Sequence, residues 1–63
     1  MFLKNLTKIR KRKGWSQEKL AAESGVSYNT LIKIEAGRID NPRIGTALKF
    51  AQALKVSLDA LVK

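Results

Sequence analysis

Apolar residues recur along the chain at steps of three and four, and small or turn-forming residues divide them into five segments. In the first, Phe2 or Leu3 is followed by Leu6 and Ile9, and Gly14 closes the segment with lysines in its last turn. Ser16 is a natural N-cap for the second, where Leu20 and Ala21 form the apolar face and Gly25 ends it. Ser27 can cap the third, which turns Leu31 and Ile34 inward and stops at Gly37. A loop follows over Arg38, Ile39, Asp40, Asn41 and Pro42, with Asn-Pro as the turn signal. The fourth carries Ile44, Ala47, Leu48, Ala51 and Leu54 at helical spacing, with Phe50 flanking that face. The fifth opens at Ser57 and offers Leu58, Leu61 and Val62 to the rest. No period-two alternation extends over a useful length, so the expected fold is all-α.

Length and composition narrow what such a fold can do. Sixty-three residues make one small domain, 1–63, which buries only about 60% of the surface of its unfolded chain. Cysteine and histidine are both absent. That removes disulfides, thiolate chemistry, the commonest general base and the commonest zinc ligand, so no metal or cofactor is expected. The five acids are scattered and no glycine-rich phosphate loop is present, so no catalytic site is expected either. Apolar runs are too short for a membrane span, and the opening Met-Phe-Leu-Lys-Asn-Leu lacks the features of a secretion signal. A cytoplasmic protein is the expectation.

Charge then points to a partner. Lysine and arginine number 13 against 5 acids, a net +8, which implies a polyanion. The excess is concentrated in residues 1–15, where Lys4, Lys8, Arg10, Lys11, Arg12 and Lys13 occur without any acid.

The stretch from Gln17 to Ala36 is the most specific part of the chain. Two short helices separated by Gly25, Val26 and Ser27 cannot be coaxial, because a glycine there can take positive φ and turn the chain sharply. Ala21 is small where the second helix would approach the first. This pattern resembles the helix-turn-helix of the lambda-repressor-like (Cro/XRE) transcriptional regulators. Gly-Trp-Ser-Gln-Glu-Lys-Leu-Ala at 14–21 is similar to the family's Gly-Leu-Ser-Gln-Glu-Glu-Leu-Ala. Ile34-Glu35-Ala36-Gly37 with Asn41-Pro42 is similar to its Ile-Glu-x-Gly…Asn-Pro, and residues 53–59 to its Ala-Leu-Gly-Val-Ser-Leu-Asp. The resemblance covers nearly the whole chain and implies a five-helix domain that binds double-stranded DNA.

Carried over residue by residue, the resemblance implies a set of roles. Helix 2 would cross the DNA backbone and helix 3 would lie in the major groove. Tyr28, Asn29 and Lys33 then share the flank facing away from Leu31 and Ile34. Asparagine can pair with adenine and lysine can donate to guanine, while Tyr28 can meet a base, a thymine methyl or a phosphate. Ile32 has two readings, peripheral core or a thymine-methyl contact. Ser16 and Gln17 at the start of helix 2, with Arg38 and Arg43 around the turn after helix 3, are the expected backbone contacts. Arg10 and Glu35 are expected to pair as a structural device, and Trp15 stands at a core leucine position of the family. In similar repressors a dimer forms through the loop after helix 3 and the start of helix 5, which implicates Asn41, Pro42, Val56, Leu58 and Leu61.

The implied function is a small dimeric repressor or controller that reads an inverted-repeat operator, with no membrane partner and no small-molecule ligand. These 63 residues hold no sensing module, so regulation is expected to follow promoter occupancy and protein concentration. The alternative is an antitoxin-like or protein-interaction module using the apolar C-terminal helices. Three positions depart from the family pattern: Lys55 replaces a helix-terminating glycine, Gly45 stands where glutamate is common, and Ile32 is apolar where a polar residue is usual.

Overall fold

The computed structural model describes residues 2–39 and 41–63; Asp40, in the expected turn, and Met1 lie outside them. Five helices follow in order: α1 (Leu6–Arg12), α2 (Gln17–Ser24), α3 (Tyr28–Glu35), α4 (Ile44–Leu54) and α5 (Leu58–Val62). The described residues contain no strand.

Serine hydroxyls start three of the helices. Ser16 accepts from the Lys19 N–H, Ser27 from that of Thr30 and Ser57 from that of Ala60, each satisfying a donor that the helix itself leaves unpaired. Asn5 before α1 makes no such cap. Its amide instead donates to the Ala60 carbonyl at 3.0 Å, and its backbone N–H to that of Leu61 at 3.0 Å, which ties the start of the chain to α5. Gly25 ends α2 at φ 75° and turns the chain into α3.

The core gathers Leu3, Leu6, Leu20, Ala21, Leu31, Ile34, Ala47, Phe50, Ala51, Leu54 and Leu61. Helix α2 packs on α3 and α4, while α5 packs on α4 and α1. Leu3, before α1 begins, supplies the N-terminal contact, and Phe2 is exposed. On α4 the buried arc differs from the one the spacing suggests. Phe50 is fully buried, whereas Ile44 and Leu48 are 53% and 43% exposed. At about 100° per residue, Ala47 and Leu54 centre the arc, Phe50 and Ala51 flank it, and Ile44 and Leu48 fall beyond its edge. An aromatic ring fills the space between helices where a narrower aliphatic stripe would leave it open.

Lys55 closes α4 in the left-handed region, at φ 57° and ψ 43°, the only non-glycine residue with positive φ among those described. Its N–H bonds the Gln52 carbonyl and the Val56 N–H bonds that of Ala51, so two terminal carbonyls are satisfied despite the missing glycine. A side chain here costs roughly 1 kcal/mol. The greater freedom of glycine in the unfolded chain offsets part of any relief. Lys55→Gly is therefore expected to raise stability by ~0.5 kcal/mol in a thermal melt. A clear loss would count against the left-handed turn.

Candidate nucleic-acid interface

The sharp turn at Gly25 sets α3 across α2, with Leu31 and Ile34 buried against the core. Tyr28, Asn29 and Lys33 are exposed, and Tyr28 retains 40% of its surface. Ile32 is half-buried but stays outside the core cluster. One side of α3 is thus anchored, and the other presents a phenol, an amide and an ammonium to solvent.

The anchor is held from behind by a buried ion pair. Arg10 Nε lies 2.8 Å from one oxygen of Glu35, with the two side chains only 8% and 5% exposed, and Arg10 Nη2 donates to the other oxygen at 3.0 Å. This two-pronged contact joins α1 to the last turn of α3. The third guanidinium nitrogen donates to the Trp15 carbonyl at 2.7 Å, which also holds the chain entering α2. Burial pushes the Glu35 carboxyl up. Hydrogen bonds from Arg10 and Gln17, the Arg10 charge and the Thr7 hydroxyl outweigh this and leave it below its usual value. Every buried side-chain polar atom among the described residues has a partner.

Gln17 belongs to this network. Its amide donates to Glu35 at 2.9 Å, so the half-buried side chain is turned toward the interior, in contrast to the outward reach expected of a backbone contact. The amide carries two N–H groups, and one of them is used here. Thr7 and the Trp15 carbonyl are members that the sequence alone did not mark. Their types are common, and only the fold brings them together. Trp15 packs partly against the core, and the ammonium groups of Lys13 and Lys19 lie 5.8 and 5.5 Å from its ring centroid.

Ser16, Arg38 and Arg43 are exposed. Arg43 stands at the N-cap of α4 without a side-chain cap bond. A cleft of about 360 Å³ separates the end of α3 from the start of α4, lined in part by Thr30, Ile34, Pro42 and Arg43.

The residues assigned to a dimer contact do not form one exposed surface. Leu61 has no solvent exposure and belongs to the core, so it cannot meet a second chain without opening the protein. Pro42 is buried, Val56 and Leu58 are half-buried and packed on the core, and Asn41 is exposed. Helix α5 packs Leu58, Leu61 and Val62 on the core as their spacing predicts, and the dimer role that the resemblance implies for Leu61 does not fit that burial. Among the described residues there is no cluster of three or more potential metal-ligating acids, and no helix is long and apolar enough to cross a membrane.

Comparison with known proteins gives the same architecture. A helix-turn-helix family model matches residues 6–61. The HTH-type transcriptional regulator SlrR of Bacillus subtilis is 48% identical over 52 residues, covering 82% of this chain, which spans only 34% of that protein's length. An uncharacterized HTH-type transcriptional regulator of Sinorhizobium fredii, y4dJ, is 43% identical over 58 residues, covering 92% of this chain and 74% of its own. Among solved structures, SinR, a master regulator for biofilm formation, in complex with DNA superposes with a TM-score of 0.91 at 33% identity, covering 100% of both chains. The N-terminal DNA-binding domain of SinR from Bacillus subtilis gives 0.89 at 34% identity, over 94% of this chain and 86% of that one. The chain belongs to the helix-turn-helix family that its sequence resembles.

Proposed function

We propose that this chain is a sequence-specific double-stranded-DNA-binding transcriptional regulator that acts in the cytoplasm without catalysis. The observation that carries the reading is the likeness, over the whole of both chains, to the SinR chain solved in complex with DNA. The polar face of α3 supports it. Helix α3 enters the major groove, where Asn29 pairs with adenine and Lys33 donates to guanine. Tyr28 and Ile32 border these contacts, Ile32 against a thymine methyl. Ser16, Arg38 and Arg43 meet phosphates, as does the second N–H of Gln17 while the first stays on Glu35.

The protein acts as a dimeric repressor or controller on an inverted repeat, since one recognition helix reads only a few base pairs. With Leu61 withdrawn into the core, Asn41 and the exposed parts of Val56 and Leu58 remain for that contact. In vitro selection from random DNA tests both statements. Selected sites lacking inverted symmetry would sink the dimer, and failure to select any sequence would sink the specific reading.

Substitution separates the roles. Asn29→Ala is expected to cost ~1–3 kcal/mol on the best site and relax preference at one base position. Arg43→Ala is expected to weaken binding to all sequences alike and lower the salt slope by about one unit. An unchanged selected sequence for Asn29→Ala would refute the placement of α3.

A protein-interaction or antitoxin-like role has one observation in its favour. Ile44 and Leu48 lie one turn apart and exposed on α4. Their replacement by serine would abolish partner binding under that reading and leave operator binding intact under the first.

A further inference from the structure

None of the DNA contacts proposed above uses the basic face of α1. At about 100° per residue, Arg10 and Thr7 lie to one side of Leu6, and Ile9, Arg12 and Lys8 to the other. The first flank is turned toward Glu35 of α3. The second lines a cleft of about 240 Å³ shared with Ala60 and Lys63 at the end of α5 and with Asn5. That cleft therefore opens on the side of α1 turned away from the Arg10–Glu35 pair.

Its chemistry is cationic. Lys8 and Arg12 are exposed one turn apart, Lys63 lines the cleft with them, and no Asp or Glu side chain does. Asp59 lies 3.9 Å from the Lys63 ammonium, but both side chains are more than three-quarters exposed, so the pair is loose and easily exchanged for another anion. Arg10, by contrast, is spent internally on Glu35. The cleft thus offers two charges on α1 and one just past α5 to an external anion, with the Arg12 fork suited to two oxygens of one phosphate.

We propose that this cleft seats the phosphate backbone of a second DNA segment, so that one protein bridges two duplexes. The inference rests on the DNA-binding reading above. Once α3 holds one duplex, neighbouring DNA is the polyanion at highest local concentration, which favours it over an acidic protein.

The test uses two short operator duplexes of ~20 base pairs, too short to fold back, one tethered to beads and one labelled in solution. Occupancy of the tethered duplex is measured first, and retention of the labelled duplex second. Lys8→Gln with Arg12→Gln is compared with Lys4→Gln with Lys11→Gln, which removes the same charge from exposed positions outside the cleft. The wild type and the Lys4/Lys11 variant are expected to retain the labelled duplex. The Lys8/Arg12 variant is expected to lose retention at least about fivefold at matched occupancy. Equal retention by both variants would overturn the proposal, because bridging would then run through recognition helices or general charge. An occupied tether with no retention by the wild type would overturn it too, and would leave the cleft to a different polyanion. An unoccupied tether would bring down the DNA-binding reading itself, and the bridge with it.

Discussion

Glu35→Ala is expected to destabilise the protein by ~3–5 kcal/mol, enough to unfold much of a domain this small. The substitution strands the Arg10 guanidinium, a cation with 8% side-chain exposure, and strips Gln17 of its acceptor. It also unties α1 from the end of α3, the helix whose outer face carries Tyr28, Asn29 and Lys33. Urea denaturation followed by circular dichroism measures the loss, and a cost below ~1 kcal/mol would mean that the pair is solvated. Replacing both partners with apolar residues, Arg10→Met with Glu35→Leu, is expected to be far milder than either single change, because no charge remains buried.

Acid separates the charge of Glu35 from its shape. The folded carboxyl is held below its ordinary value, so its stabilisation is complete above the usual carboxylate range and fades as pH falls through the folded value. Glu35→Gln keeps the size and removes the titration. The stability gap between wild type and Glu35→Gln is therefore expected to be constant near neutrality and to narrow once pH falls through and below the ordinary carboxylate range. A gap that stays constant down to the acid unfolding limit would show that the pair contributes no proton linkage.

Local chemistry made much of the fold legible. Ser16, Ser27 and Ser57 cap helices because their hydroxyls have few better uses at those positions, and Gly25 turns because little else can. The left-handed Lys55 was legible only through the resemblance, since lysine carries no such signal of its own. What escaped was tertiary choice. Spacing turns both Leu58 and Leu61 toward the core, but it cannot show that Leu61 is buried completely and so is closed to the second chain that the resemblance implies. Nor can it show that the Gln17 amide turns to Glu35, because that bond joins residues 18 positions apart through a packing of three helices.

Helix α4 shows the same limit with a larger energetic consequence. Its spacing groups Ile44 and Leu48 with Ala47, Ala51 and Leu54, yet the fold rotates the helix so that Phe50 enters the core with no exposure. Phe50→Ala is therefore expected to cost ~3–5 kcal/mol, through the lost transfer of the ring and the cavity left where α4 packs on α2. Phe50→Leu keeps much of the volume and should cost only ~1–2 kcal/mol. Leu48→Ala removes a side chain that water already reaches over 43% of its surface, so its cost should stay near ~1 kcal/mol or below. Denaturant midpoints for the three variants decide between the two orientations of the helix. If Leu48→Ala proves as damaging as Phe50→Ala, the apolar stripe read from spacing faces the core and α4 is rotated from the arrangement described. If only the Phe50 variants lose stability, one aromatic ring sets the orientation of α4, and Ile44 and Leu48 are left as surface open to a partner.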